Sequence, residues 1–521
     1  MRLLIRFLAV SVCAVVVFLG VCLVRTFMYS PPDTKDFAGE LPDAPAFDVD
    51  AAAQTLSQAI QLQTITLRGG DPATGKDQPW ADLRALLEAS FPELASQAEY
   101  ETIAGNSLDI TWPGTDLTAP PLILMGHMDV VPVDLRTLSD WAHPPFDGVI
   151  ADGFVWGRGA MDCKGPVIAM LHAANTLAAS GWKPERTIIF QFGHDEEVLG
   201  SGAQAGFQRL KSEGITPYMV LDEGMEVISR YSLTGEPAAL IGIAEKGYQS
   251  VRITARSSGG HAAIPPRNSN AVRLAQAINA LDNNQMPVDV SAPPFPQSAR
   301  AMADHLPFKI KFAMANRFAF GWMMEGISQD DVMFNALIRT TTAPTMLNGS
   351  IKENVMPTEA SVVFNFRIHP SNSAKELGDH IENVLEGIDG LDIEFLRDGI
   401  WSEPSPVASV DGTPYRNLAS VASNVGGGVP VIPGMVVGAT DARFAALVAN
   451  DNIFRFVPAF YTPEDIGRYH GLNERLSLEN LERMMTGYAH IMMMASDDRS
   501  DRASEKELSQ SGEFSIQSNN G

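Results

Sequence analysis

The chain has 521 residues, of which 45% are apolar and 19% charged, so its bulk is globular and neither disordered nor a coiled coil. This length is several times the roughly 150 residues of a typical domain, which indicates two or three structural units. The formal net charge of −24 repels phosphate backbones and makes nucleic acid an unsuitable partner.

The first predicted element is an uncharged apolar run from Phe7 to Val24. As a helix that rises about 1.5 Å per residue, this run just spans a hydrocarbon layer of about 30 Å. Arg2 and Arg6 precede it, and by the positive-inside rule they place the N-terminus in the cytoplasm and the rest of the chain outside. We expect residues 1–28 to be a membrane anchor. The alternative is a signal peptide whose cleavage leaves a secreted protein, although no Ala-x-Ala pattern marks a cleavage site.

The two flanks of the globular part differ from it in composition. Residues 29–46 contain several Pro, Asp and Gly residues, which are typical of a tether. Residues 497–521 are rich in Ser, Asp, Glu and Asn and poor in apolar residues, so we expect them to be a disordered tail.

In the first half of the globular part, apolar runs end repeatedly in acidic or histidine residues. Pro121–Gly126, Thr187–Gly193 and Tyr218–Leu221 are three such runs, with helical stretches between them. Short apolar runs in this arrangement are typical of buried strands in a mostly parallel α/β sheet with helices on both faces. Ligands bind beyond the carboxyl ends of such strands. The pattern therefore gathers six polar side chains at one edge of the sheet, namely His127, Asp129, Glu196, Glu197, Asp222 and Glu223.

The pattern changes near residue 248. Two stretches there alternate between polar and apolar side chains, like half-exposed strands, and each is followed by an amphipathic helix. Strands and helices in this order indicate a small α+β layer. We expect residues 248–398 to be a smaller domain inserted into a catalytic domain that consists of residues 47–247 and 399–496.

One segment of the expected inserted domain, residues 306–341, is rich in Phe, Met and Trp. Additional core or a dimer surface is the more common role of such a segment. A wall of an apolar substrate pocket and a membrane-facing patch are the two alternatives.

An imidazole and several carboxylates at one sheet edge are ligands suited to Zn²⁺ or a similar divalent ion. Asp162 is the candidate for a carboxylate that bridges two ions, because its glycine-rich loop lets a short side chain approach closely. Asp129 is placed to accept the ring N–H of His127 and fix its tautomer. Glu196 and Glu197 point in different directions, so one can coordinate a metal while the other acts as a general base.

These residues stand in motifs that resemble those of the dinuclear zinc peptidase family, which includes carboxypeptidase S, aminoacylase, carnosinase and glutamate carboxypeptidase. The resemblance extends over residues 47–496 and keeps the order of the family's motifs. It is strongest to carboxypeptidase S and to the secreted enzymes that make and hydrolyse N-fatty-acyl amino acids. The matching motifs are Gly126–Pro132, Trp156–Gly165, His194–Gly202, Leu221–Gly224, Gly259–Ala262, Arg339–Pro344, Gly438–Arg443 and Tyr469–Arg475.

The resemblance implies two zinc ions per subunit and assigns each site residue a role. The implied metal ligands are His127 with Asp222 or Glu223 for one ion, Glu197 with His470 for the other, and Asp162 as the bridge. Asp129 would orient His127, and Glu196 would be the general base and proton shuttle. His261 would reach the reacting carbonyl oxygen, often from the partner subunit of a dimer. The residues that would line the site or bind the carboxylate of the substrate are Asn354, Arg367, Thr440 and Arg443.

We therefore expect a zinc-dependent metallopeptidase of carboxypeptidase S type, which hydrolyses the amide bond next to a C-terminal amino acid with a free carboxylate. Small peptides or N-acyl amino acids would be its substrates, and the inserted domain would serve as a lid and as the contact of a homodimer. One alternative is an N-fatty-acyl-amino-acid hydrolase or synthase. An alternative of another class is a non-catalytic amino-acid-binding scaffold, although every expected ligand position is filled.

Overall fold

The computed structural model describes residues 2–32, 41–67, 77–198, 200–328, 331–397 and 401–497. Part of the expected tether, residues 33–40, and nearly all of the expected tail, residues 498–521, lie outside the described residues.

The described residues form helices and strands that we number in chain order. The helices are α1 Arg2–Phe27, α2 Val49–Gln61, α3 Gln78–Ser90, α4 Pro92–Ala95, α5 Lys164–Ala179, α6 Ser201–Ser212, α7 Asn270–Asn283, α8 Phe295–Ala301, α9 Phe308–Ala315, α10 Arg317–Phe320, α11 Met323–Ser328, α12 Val332–Ile338, α13 Ala374–Leu385, α14 Thr413–Val425, α15 Pro463–Ile466 and α16 Leu478–Asp497. The strands are β1 Glu99–Ile103, β2 Ser107–Trp112, β3 Leu122–His127, β4 Val149–Ala151, β5 Phe154–Trp156, β6 Ile188–Gly193, β7 Met219–Asp222, β8 Val227–Ile228, β9 Ala238–Glu245, β10 Gly247–Arg256, β11 Gly260–His261, β12 Thr341–Asn348, β13 Val355–Met356, β14 Glu359–Ile368, β15 Leu391–Leu396, β16 Val431–Val436, β17 Ile453–Arg455, β18 Phe460–Tyr461 and β19 Arg475–Ser477.

A ten-stranded sheet organises the molecule, in the order β1-β2-β6-β3-β7-β17-β9-β8-β18, with β16 paired to β9. Its centre is parallel, because β3 pairs in parallel with both β6 and β7, and β7 with β17. Towards the edges, β1 with β2, β2 with β6 and β8 with β9 are antiparallel. The sheet is therefore mixed, and the predicted α/β class is confirmed.

Helices cover both faces of this sheet because its central strands are apolar on both sides. In β3, Leu122 and Leu124 pack into the core formed with α2, α5, α14 and α16. Ile123 and Met125 point to the opposite face and pack with α6 and the short 3₁₀ helix Asp441–Leu447. Side chains alternate along a strand, so a strand covered on both faces reads as a continuous apolar run.

A second, antiparallel sheet lies in the chain between β9 and β16. It has the order β12-β14-β10-β15. Its own hydrophobic core includes Val251 and Phe364 from the strands, Leu274 from α7 and Ile381 from α13. Separate cores of this kind are how a chain of this length divides into units.

The helices α8 to α12 form a third cluster, whose core includes Phe295, Met314, Met324 and Phe334. This cluster packs against the last turns of α1. In the part of the chain that the structure describes, one helix is long and apolar enough to cross a membrane, namely Arg6–Phe27 within α1.

Candidate metal centre and active site

The site lies at the carboxyl edge of the central parallel strands. His127 is the last residue of β3 and Asp222 is the last residue of β7, while the turn after β6 carries Glu196 and Glu197. A cavity of about 470 Å³ opens at this edge. Its lining includes Asp162, Glu196, Glu197, Glu223 and His470.

Asp162 lies between the two histidines of the site. Its Oδ1 is 2.9 Å from Nε2 of His127, and its Oδ2 is 3.0 Å from Nε2 of His470. A second carboxylate accompanies each histidine: Oε1 of Glu223 is 3.1 Å from His127, and Oε1 of Glu197 is 3.2 Å from His470. The result is two groups, each of one histidine and two carboxylates, that share Asp162.

These residues fit a pair of metal ions. Donor atoms bound to one tetrahedral zinc ion at about 2.0–2.2 Å lie roughly 3.3–3.6 Å from one another. The distances of 2.9–3.2 Å between each histidine and its carboxylates are a few tenths of an ångström shorter. Oε1 of Glu197 is buried without a hydrogen-bond partner among the described residues, although His470 is near. A buried carboxylate oxygen in this state is costly unless a cation satisfies it.

The electrostatics of the groups agree with this interpretation. Burial alone would lower the pKa of His127, but the charge of Glu223 and the hydrogen bonds of Asp129 and Asp162 hold that pKa well above its usual value. The carboxylates of Asp162 and Glu197 raise the pKa of His470 to about 10. The carboxylates that raise both pKa values create a negative field, so the pocket favours cations.

The two acidic residues after β7 have different surroundings. Glu223 points into the cavity towards His127. Asp222 is buried, and its Oδ2 accepts the backbone N–H of Ala442 at 2.7 Å. The geometry therefore brings Glu223, and not Asp222, into the cluster.

Asp129 holds the turn that carries Glu196 and Glu197. Its two carboxylate oxygens accept the backbone N–H groups of Glu196 at 3.1 Å and Glu197 at 3.2 Å, and one also accepts the hydroxyl of Thr66 at 2.7 Å. The ring Nδ1 of His127 is 3.0 Å from the backbone carbonyl of Asp129 and 3.4 Å from its carboxylate. Nδ1 of His127 thus lies close to both the main chain and the side chain of Asp129, the residue predicted to orient it.

A buried ion pair shapes the loop that carries Asp162. Oε1 of Glu474 accepts hydrogen bonds from the backbone N–H groups of Gly159 at 3.0 Å and Met161 at 2.9 Å. Oε2 of Glu474 accepts a hydrogen bond from the guanidinium of Arg158 at 2.6 Å. Gly159 has a φ of +89°, and an added Cβ would lie 2.7 Å from a methyl group of Val130. Only glycine adopts this conformation in so tight a space.

His470 has a left-handed backbone, with a φ of 57°. This conformation is uncommon for a residue with a side chain and persists where the surroundings impose it. The guanidinium of Arg158 donates to the carbonyl oxygen of His470 at 3.1 Å and to that of Gly471 at 3.1 Å. Arg158 therefore connects the Asp162 loop to the loop of the second histidine.

Three of the four predicted substrate-binding residues line the cavity: Arg367, Thr440 and Arg443. The guanidinium of Arg367 stacks over Tyr248, 4.6 Å from the ring centroid. Thr440 is fixed by Glu245, whose two carboxylate oxygens accept its N–H and its hydroxyl, each at 2.9 Å. The cavity thus has two cationic side chains in the same lining as the acidic cluster.

His261 and Asn354 lie elsewhere. Both are exposed, and they stand on the small ribbon of β11 and β13, where the carbonyl of Asn354 accepts the N–H of Ala262 at 3.1 Å. In the described residues, the lining of the cavity includes neither of them. A single subunit therefore does not bring these two side chains to the candidate metal centre.

Several residues of the site were not predicted from the sequence. Glu474 lies within the matching motif Tyr469–Arg475, but no local pattern distinguishes a buried carboxylate from a solvated one. Tyr248 and Glu226 also line the cavity. Burial, aided by the charge of Glu223, raises the pKa of Glu226 to about 8.

The sequence profile of peptidase family M20/M25/M40 matches residues 123–494. The chain belongs to this family. Probable carboxypeptidase S-like 2 of Dictyostelium discoideum is 33% identical to it over 452 residues, 84% of each chain. The N-fatty-acyl-amino acid synthase/hydrolase PM20D1.1 of Danio rerio is 34% identical over 444 residues, which are 83% of this chain and 84% of the relative.

The fold agrees with this assignment to the M20 family. The crystal structure of the M20 family metallo-carboxypeptidase Sso-CP2 from Sulfolobus solfataricus superimposes with a TM-score of 0.62 at 16% identity, over 85% of this chain and 99% of its own. The protein is therefore a hydrolase of the metallopeptidase class with the M20 fold.

Proposed function

We propose that this M20 peptidase is a dinuclear zinc amidohydrolase that cleaves the amide bond next to an amino acid with a free carboxylate. The observation that carries the proposal is the position of Asp162, within about 3 Å of His127 on one side and of His470 on the other. One carboxylate between two histidine–carboxylate pairs is the arrangement that a shared bridge between two ions requires.

The proposed ligands follow from the two groups. His127, Glu223 and Asp162 would hold one Zn²⁺. Glu197, His470 and Asp162 would hold the other. When bound, the ions would polarise the substrate carbonyl and lower the pKa of a water molecule. Imidazole nitrogen and carboxylate oxygen are ligands common to zinc and other divalent ions. Elemental analysis of the purified protein identifies the native metal.

Glu196 is proposed as the general base. It lines the cavity beside Glu197, and its main-chain N–H is fixed by Asp129. Burial raises the pKa of Glu196 well above its usual value, which suits a carboxylate that accepts a proton from water and returns it to the leaving nitrogen.

Arg367 and Arg443 are proposed to bind the carboxylate of the substrate, with Thr440 beside them. A guanidinium group recognises a carboxylate through paired N–H donors. Their position in the cavity wall would align the amide bond of the substrate with the acidic cluster.

The remaining roles are proposed for the smaller sheet and for α1. Because His261 and Asn354 stand away from the cavity, we propose that residues 248–398 act as a lid and contribute to a homodimer, so that His261 reaches the site of a partner. The apolar helix within α1 would anchor the protein with its catalytic part outside the cytoplasm; secretion after cleavage is the alternative.

A second candidate function is hydrolysis or synthesis of N-fatty-acyl amino acids. The relative from Danio rerio carries that activity in its name, and an apolar helix at the N-terminus would keep this chain near lipids. Both candidate functions use the same centre and differ in the acyl group.

The test is a screen of the purified full-length chain against dipeptides and N-oleoyl amino acids, with and without a chelator. Chelator-sensitive hydrolysis of either class supports the proposed chemistry, and the preferred acyl group separates the two candidates. The Glu196→Gln variant controls for contaminating peptidases. A chain that binds no metal and hydrolyses neither class would instead be the non-catalytic scaffold.

A further inference from the structure

The cluster of helices α8 to α12 packs against the C-terminal part of α1. Along Arg6–Phe27, Cys22 and Thr26 are the buried positions, and the amide of Asn316 donates to the carbonyl of Cys22 at 3.0 Å and to the hydroxyl of Thr26 at 3.1 Å. A buried amide that joins two apolar helices is typical of helix packing in a membrane.

Aromatic side chains extend this contact further down α1. The ring of Phe18 lies 6.2 Å from the rings of both Phe318 and Phe320. Phe18 is six residues before Val24, the last residue of the uncharged run, which corresponds to about 9 Å along a helix. If α1 crosses a bilayer, Phe318 and Phe320 lie at the depth of the acyl chains.

The outer surface of the same helices is apolar. Trp322 is 72% exposed and Phe318 is 66% exposed. The indole N–H of Trp322 donates to the carbonyl of Ala319 at 3.0 Å, so the ring can enter hydrocarbon without leaving a polar group unpaired.

Charge supports the same orientation. Residues 308–323 contain Lys309, Lys311 and Arg317 and no acidic residue, in a chain with a net charge of −24. Lys311 pairs with Asp304 at 3.3 Å, which leaves Lys309 and Arg317 to supply the basic charge of this segment. Arg317 lines a cavity of about 370 Å³ together with Arg300 and the residues that follow α1, Met28–Ser30. Basic side chains that extend from an apolar helix towards the water interface are typical of segments that lie on anionic lipids.

We propose that α9 and α10, with Trp322, lie in the outer leaflet of the bilayer beside α1, and that Arg300 and Arg317 face its phosphate layer. This inference depends on the membrane anchor proposed above, because the depth of Phe318 is measured against α1. The partner is the lipid bilayer itself, since the exposed aromatic surface continues the lipid-facing surface of a helix of membrane-spanning length.

Fluorescence of the full-length chain tests this inference. The protein is reconstituted in vesicles of phosphatidylcholine and phosphatidylglycerol in which some acyl chains carry bromine, a quencher of indole emission. Trp322→Phe should lose most of the bromine-quenched emission of the wild type. Trp401→Phe is the matched control, because Trp401 is also exposed, at 42%, but follows β15 of the smaller sheet rather than α10, and this variant should keep that emission.

Two results overturn the inference, and they are distinguishable. If membranes washed in alkaline carbonate release the chain, the anchor fails and the inference fails with it. If the chain stays in the membrane but Trp322→Phe retains the quenched emission of the wild type, the anchor stands and α9 and α10 lie outside the lipid.

Discussion

The carboxylate of Glu474 accepts the backbone N–H of Asp162 at 3.3 Å. It also neutralises the guanidinium of Arg158, which in turn holds the carbonyl of His470. Through these contacts one buried side chain fixes both loops that meet at the proposed bridge. Partners of this kind, which orient ligands without binding the ion, commonly change metal affinity when they are removed.

We expect Glu474→Gln to lower metal affinity by roughly 10–100-fold, the usual range for residues that orient ligands. It should also destabilise the protein by about 3 kcal/mol or more, because it leaves a buried guanidinium without a counter-charge. Titration with a competing chelator and urea unfolding measure the two effects. Glu479→Gln is the control, since Glu479 pairs with Arg483 on the surface, and it should change neither quantity. Metal affinity equal to that of the wild type would contradict this role of Glu474.

The two neighbouring glutamates should fail in different ways. Glu196→Gln removes the proposed proton acceptor, so the turnover rate should fall by about 10²–10⁴-fold while both metal ions remain bound. Glu197→Gln removes a proposed ligand, so the metal content should fall together with the rate. Elemental analysis beside steady-state kinetics separates these outcomes. Equal metal loss in both variants would show that the assigned roles are wrong.

His261 offers a test of assembly. His261→Ala and Glu196→Gln should each be nearly inactive alone. If His261 acts across a dimer, unfolding and refolding the two variants together should restore about a quarter of wild-type activity, since half of the random dimers are mixed and each has one intact site. No recovery in a mixture that is shown to contain mixed dimers would place His261 in its own subunit's site.

The stability of the protein should depend on pH through Lys246. This side chain is buried and donates to the carbonyl of Arg339 at 2.7 Å. Burial, aided by the charge of Arg367, lowers its pKa from 10.5 to about 7. Between these two values the unfolded chain holds a proton that the folded chain has released, so stability should rise with pH across this window.

The Lys246→Met variant should lack this rise. The slope due to one proton is at most about 1.4 kcal/mol per pH unit, and urea unfolding at pH 7.5 and 9.5 measures it. The exposed Lys211 provides the control, because Lys211→Met should keep the wild-type slope. If Lys246→Met keeps the wild-type slope as well, Lys246 is charged in the folded protein.

The sequence predicted the family, the α/β class and the strands that end at the site, because a strand buried on both faces is apolar throughout and a local pattern reveals it. The order of the strands in the sheet could not be predicted from the sequence. The pairing of β7 with β17, for example, joins residues 219–222 to residues 453–455, and such distant contacts leave no local pattern.

The residues of the site likewise divide into those that the sequence predicts and those that it does not. His127 and Asp162 stand out in the sequence because they end apolar runs or lie in glycine-rich loops. The choice between Asp222 and Glu223 depends on which side chain the backbone turns towards Ala442, and the place of His261 depends on how the smaller sheet packs. No short stretch of sequence determines either property, so both could be established only from the three-dimensional structure.

The two histidines of the centre stand at opposite ends of the globular part, at positions 127 and 470. A chain still being synthesised therefore has no second histidine, and no Glu474 to shape the loop of Asp162, until almost all of it has been made. With the metal ligands proposed above, we expect hydrolysis not to begin on a growing chain. A premature stop between Tyr461 and Tyr469 would keep every strand of the ten-stranded sheet but remove His470 and Glu474, and we expect such a protein to have no activity.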